Sequence, residues 1–107
     1  MHKQNVIEFK RGDTFETEGQ LLSNGSPLDI TGYQIKSHIR YKNNLVKNLA
    51  VSFTDAALGK YKLSAASSET ASWPIYDLDM DIEFTDLFGK VISTNTIIVR
   101  VISDITQ

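Results

Sequence analysis

From Tyr76 to Phe84 the chain alternates without a break. Tyr76, Leu78, Met80, Ile82 and Phe84 share one parity, and Asp77, Asp79, Asp81 and Glu83 share the other. Side chains on a strand point to opposite faces with period two, so this stretch is a strand with one apolar and one charged face. Such a strand has only one way to satisfy both faces: the apolar side must lie on a core and the acidic side must stay wet. That is the habit of antiparallel sheets packed on one side. A helix would scatter the four carboxylates around its circumference.

The rest of the chain is consistent with a sheet protein. Twenty-six of the 107 residues are Ile, Val or Thr, whose branched side chains favour a pleated surface. Tyr33 to Tyr41 reads as a second strand with Tyr33, Ile35, Ser37, Ile39 and Tyr41 inward and Gln34, Lys36, His38 and Arg40 outward. Further strands are expected at Thr14 to Leu22, around Leu45 to Phe53 (Leu49, Val51 and Phe53 together), and at Lys60 to Ser64 with Tyr61 and Leu63 inward. Val91 to Ile102 has three consecutive apolar residues, Ile97, Ile98 and Val99. Either that strand is covered on both faces or a bulge shifts its register midway.

Asn24-Gly25 suits a tight turn with positive φ. Two loops echo each other, Phe53-Thr54-Asp55 to Gly59-Lys60 and Phe84-Thr85-Asp86 to Gly89-Lys90, and both read as hairpin connections. The one helical candidate is a turn at Ser67 to Ser72, capped by Ser67 or Ser68 and ended by Trp73-Pro74. Short strands with closely spaced turn signals predict an all-β, immunoglobulin-like antiparallel β-sandwich of about seven strands with one short helical turn. A length of 107 residues predicts a single domain spanning 1–107, with residues 1–5 frayed. The expected core holds Phe15, Ile35, Ile39, Val51, Phe53, Tyr61, Leu63, Trp73, Leu78, Met80, Ile82, Phe84 and Ile98.

The same residues exclude much chemistry. No cysteine means no disulfide framework and no thiolate metal site. A formal charge of -2 gives no general attraction to nucleic acid, and no apolar run approaches a membrane span. Met1 to Asn5 leads into no apolar leader-like stretch, so no signal peptide is expected. There is no Gly-x-Ser-x-Gly elbow, no His-Glu-x-x-His and no glycine-rich phosphate loop. His38 has no carboxylate in its own strand to orient it, and His2 lies near the terminus. Catalytic, cofactor and metal residues are therefore expected to be none. Arg11-Gly12-Asp13 and Asn24-Gly25-Ser26 match adhesion and glycosylation motifs, but both read first as turns. Trp73 reads as a core plug at one end of the sandwich.

The acidic row is the remaining chemical feature. Same-face residues on a strand are about 6.5–7 Å apart, so the carboxylates form a line and do not converge on one ion. Asp77, Asp79, Asp81 and Glu83 are thus a solvated face or a candidate protein-contact face, balanced by Lys36 and Arg40 or by Lys60 and Lys62.

The order of the pieces adds a direction. Lys10-Arg11-Gly12-Asp13-Thr14-Phe15, Gly25-Ser26-Pro27-Leu28-Asp29-Ile30-Thr31-Gly32-Tyr33, Gly59-Lys60-Tyr61-Lys62-Leu63, Thr70-Ala71-Ser72-Trp73-Pro74, Asp79-Met80-Asp81-Ile82-Glu83, Gly89-Lys90-Val91-Ile92-Ser93-Thr94 and Asp104-Ile105-Thr106 follow in series. This series resembles small structural proteins of tailed bacteriophages and prophages, and the immunoglobulin-like N-terminal domain of phage baseplate upper proteins. The resemblance runs from Arg11 to Thr106. It implies a non-enzymatic virion component at the tail or baseplate, made in the bacterial cytoplasm and acting through contacts with other virion proteins, copies of itself included. The alternatives are a head decoration protein, or a carbohydrate- or calcium-binding adhesion module using the acidic row or the Trp73 corner.

Overall fold

The alternating stretch forms the middle strand of the larger sheet. In a computed structural model that describes residues 6–93 and 96–103, the strands are β1 (Val6–Lys10), β2 (Phe15–Gln20), β3 (Leu22–Ser23), β4 (Ser26–Pro27), β5 (Gln34–Tyr41), β6 (Asn44–Asn48), β7 (Ala50–Asp55), β8 (Lys60–Ala65), β9 (Asp77–Thr85), β10 (Val91–Ser93) and β11 (Ile97–Ile102). A 3-10 turn occupies Ala56–Leu58 and a single helical turn, α1, occupies Ser67–Thr70. One sheet runs β1-β11-β9-β5-β6, with β10 also on β9; the other runs β2-β8-β7, and β3-β4 is a small hairpin. This is the immunoglobulin-like sandwich. Eight of its strands have five residues or more, against the seven expected. The pairing is antiparallel except at one edge, where β1 runs parallel to β11 from Val6 opposite Ile98 to Lys10 opposite Ile102.

β9 keeps its alternation: Leu78, Met80, Ile82 and Phe84 are buried. They meet Phe15, Tyr61, Leu63 and Ala65 of the opposite sheet in one core, with Ile30, Ile39, Val99 and Val101. Trp73 is the plug it was expected to be, packed against Phe9 and Phe15 at ring-centroid distances of 5.6 and 5.5 Å. Its burial removes it as a sugar-stacking platform, since only 2% of its surface is open.

Several expectations are corrected. Leu45 to Phe53 is two strands in two sheets: β6 pairs with β5, and beyond Leu49 the chain crosses to pair with β8 as β7. Leu49 itself is buried, its N–H donating to Ser37 O at 2.9 Å. As β7 is an outer strand, Phe53 is 44% exposed and lies outside the core. Ile35 and Val51 pack against the core from its margin.

Ile98 also faces away from the core. Ser93, ending β10, lies opposite Glu83 and Ile97, opening β11, lies opposite Met80, so the registers of the two strands against β9 differ by one residue. The offset of one residue is the bulge alternative of the two considered. It turns Ile97, Val99 and Val101 inward, and Ile98 outward. The frayed segment expected at residues 1–5 lies outside the described residues.

The turns form largely as read. Asn24 (φ 52) and Gly25 (φ 81) make the β3–β4 turn. Lys42 (φ 49) and Asn43 (φ 68) make an equally tight β5–β6 turn without a glycine to announce it. α1 is present, but Ala66 and not a serine precedes it; Glu69 Oε1 accepts the Ala66 N–H at 2.9 Å. Buried Thr70 anchors α1 to the Arg11-Gly12-Asp13 turn: its hydroxyl donates to Asp13 O at 2.7 Å and accepts from Gly12 N–H at 3.1 Å. The backbone of that tripeptide is thereby committed to structure.

Candidate protein-contact face

The outer face of the six-stranded sheet carries the four acidic residues down its centre. Asp77 and Asp79 are exposed, and Asp81 and Glu83 are half-buried between flanking strands. The register supplies a base opposite each where the neighbouring strand reaches. Lys36 faces Glu83, His38 faces Asp81 and Arg40 faces Asp79 across the β5–β9 ladder, and Arg100 faces Asp77 across β11–β9. Of the lysines and arginines considered, Lys36 and Arg40 are therefore the ones that lie beside the row. Lys60 and Lys62 are not, because β8 belongs to the other sheet, where Lys62 pairs with Glu16 at 3.2 Å.

Facing is not the same as pairing. Arg100 grips Asp77 with Nε and Nη2 at 2.9 and 3.3 Å. This hydrogen bonding holds the Asp77 carboxyl below the usual aspartate range and raises the Arg100 guanidinium. Asp81 Oδ1 accepts the Thr96 hydroxyl at 2.8 Å. Among the described residues the ion pairs are Lys47–Glu69, Lys62–Glu16 and Arg100–Asp77; Arg40, Asp79, Lys36 and Glu83 make none.

No three His, Asp or Glu side chains among the described residues gather where one ion could sit. The carboxylate line follows the strand, as its period requires. No helix among the described residues is long and apolar enough to cross a membrane. The placing of His38 opposite Asp81 was hidden from the sequence, because the carboxylate comes from another strand.

Sequence reasoning read the β9–β10 hairpin but missed what its tip displays. Asp86 Oδ1 accepts the N–H groups of Phe88 and Lys90 at 2.9 and 2.8 Å, which presents Phe88 with 94% of its surface open. The signal was two large apolar residues, Leu87 and Phe88, inside a loop of hairpin length.

No family model matches the chain, and no curated protein sequence matches it. Solved structures do. The N-terminal domain of phage TP901-1 ORF48 is similar with a TM-score of 0.66, covering 94% of this chain and 90% of that one at 20% identity. Fibronectin(III)-like modules of Clostridium thermocellum CbhA are similar with a TM-score of 0.53, covering 98% of this chain and 93% of that one at 12% identity. At such identities the likeness is one of fold. The fold drawn from strand order, an immunoglobulin-like domain of the kind found at the N-terminus of a phage protein, has its counterpart in a solved structure.

Proposed function

We propose that the chain is a single-domain, non-enzymatic structural component of a phage or prophage virion, placed at the tail or baseplate. It works by protein–protein contact through the outer face that bears Asp77, Asp79, Asp81 and Glu83. The observation that carries this reading is the near-complete overlap with a phage protein's N-terminal domain, 94% of one chain on 90% of the other. The surface supports it. Among the described residues Arg40, Asp79, Lys36 and Glu83 are in no ion pair, which leaves them to meet complementary charge. A sandwich holds its core while one sheet face varies, so the fold suits a connector.

The test is incorporation. Particles of the phage or prophage that encodes the chain should contain it in stoichiometric amount after purification. The double variant Asp79→Arg/Asp81→Arg should fold, judged by an unchanged circular dichroism spectrum, yet be depleted from particles. Absence of the native chain from purified particles would overturn the reading.

A further inference from the structure

Four residues form one straight row across β6, β5, β9 and β11 on the outer face of the larger sheet. Leu45 on β6 lies opposite Arg40 on β5, Arg40 opposite Asp79 on β9, and Asp79 opposite Ile98 on β11. The row reads apolar, basic, acidic, apolar. Leu45 is 53% exposed and Ile98 is half-buried, while Arg40 and Asp79 form no ion pair among the described residues. We propose that this face pairs with the same face of a second copy of the chain, making a two-fold dimer. The inference deepens the functional reading above by naming the occupant of its contact face.

The symmetry is set by the row. A two-fold axis lying along the strands, midway between β5 and β9, lays the row on its own reverse. Leu45 then meets Ile98 of the second copy, and Arg40 meets its Asp79, each contact occurring twice. The next rows follow the same rule: His38 meets Asp81 and Lys36 meets Glu83, because basic β5 lies over acidic β9 throughout. A two-fold axis across the strands would stack the acidic column on itself, and like-charge juxtaposition forbids it. Only one of the two face-to-face arrangements is therefore allowed. It keeps the strands of the two copies nearly aligned, as packed sheets prefer.

Size fixes the strength. About this axis four strands of each face overlap, β6, β5, β9 and β11, about 19 Å wide and about 25 Å long, so the pair covers on the order of 1,000 Å², the low end for a specific interface. A contact of that area with charged centres and small apolar flanks dissociates at micromolar concentrations or weaker, on the order of 1–100 µM. It also weakens with salt, as the screening length shrinks from about 10 Å at 0.1 M to about 3 Å at 1 M.

Sedimentation equilibrium on the full chain decides the matter. The wild type should dimerise with concentration, several-fold more weakly in 1 M than in 0.1 M sodium chloride. Asp79→Arg alone and Arg40→Asp alone should each lose at least about tenfold in self-affinity, since each sets like charge against like. Mixed together, those two variants should form a heterodimer, because Arg40 and the new Arg of one then face the new Asp and Asp79 of the other. Within each variant the like charges at positions 40 and 79 still lie side by side across the β5–β9 ladder in this mixture, so recovery reports contact between chains alone. Should either variant fail to fold, Leu45→Glu, on an exposed outer strand, must give a folded monomer. A wild type monomeric up to about 1 mM, a dimer indifferent to either reversal, or a mixture that fails to recover would each overturn the proposal. A monomeric wild type whose incorporation into particles still depends on Asp79 would give the face to a different virion protein, overturning self-pairing and keeping the functional reading. Absence from particles, with dimerisation intact, would fail the functional reading alone.

Discussion

Gly59 is the residue at which three segments of the smaller sheet's end converge. Its φ is 76°, and a Cβ built on it would stand 2.5 Å from Leu21 O and 2.6 Å from Leu28 O. Its own carbonyl accepts the Leu21 N–H at 2.9 Å, so the backbone cannot back away without losing that bond. Gly59→Ala therefore meets both left-handed strain and backbone collision. It should cost about 3 kcal/mol, more than about 10 °C of melting temperature in a domain of this size. Gly19 is constrained differently, by the Tyr61 ring folded over it from the adjacent strand. That obstacle is a side chain, and burial beneath the sheet also pushes the Tyr61 phenol up. Thermal melts of Gly59→Ala and Gly19→Ala should rank Gly59→Ala as the more damaging; the reverse order would mean the Gly59 corner has room to adjust.

At the scale of elements, β11 offers the sharpest test of how the chain was read. Val99→Asp buries a carboxylate with no partner and should abolish folding, a loss exceeding about 4 kcal/mol. Ile98→Asp, one residue away on the outward face, should stay folded with a cooperative melt. Equal outcomes would put the register offset after β10 in error. β9 was legible because period two and burial coincide along nine residues, and the hairpin turns because Asn24-Gly25 and Gly59 carry the residue types such turns need. The face of β11 was not, since three consecutive apolar residues fit either parity until the partner strand fixes one. The switch of sheets at Leu49 was hidden for a related reason: no Gly or Pro separates β6 from β7, and the crossing is imposed by pairing with β5 and β8. At the contact face the acids could be named from the sequence, whereas their partners could not, because cross-strand register is a tertiary property.

For the whole molecule, acid stability follows from three carboxylates. The Thr31 hydroxyl and N–H hold Asp29 below its ordinary range, Lys47 and the Ala66 N–H do so for Glu69, and Arg100 for Asp77. Their folded forms resist protons that the unfolded chain takes up near pH 4. The contribution of these groups is thus complete above about pH 5 and is lost as pH falls below about 4 toward their lowered folded values. Melting temperature should be level from pH 7 to 5 and decline from pH 4 to 2, less steeply in Asp77→Asn/Glu69→Gln; a level profile to pH 2 would contradict this assignment. The parallel pairing of β1 with β11 has a mechanical consequence. Because the strands run the same way, chain enters β1 at one end of the sandwich and leaves β11 at the other. Tension applied along this path loads the hydrogen bonds between Val6–Lys10 and Ile98–Ile102 together, in shear, whereas a hairpin would peel open one bond at a time. Single-molecule pulling through these two ends should therefore meet one sharp rupture. Substituting proline for Glu8, in the middle of β1, should lower its force; a domain that instead yields gradually would show that this edge carries no tension.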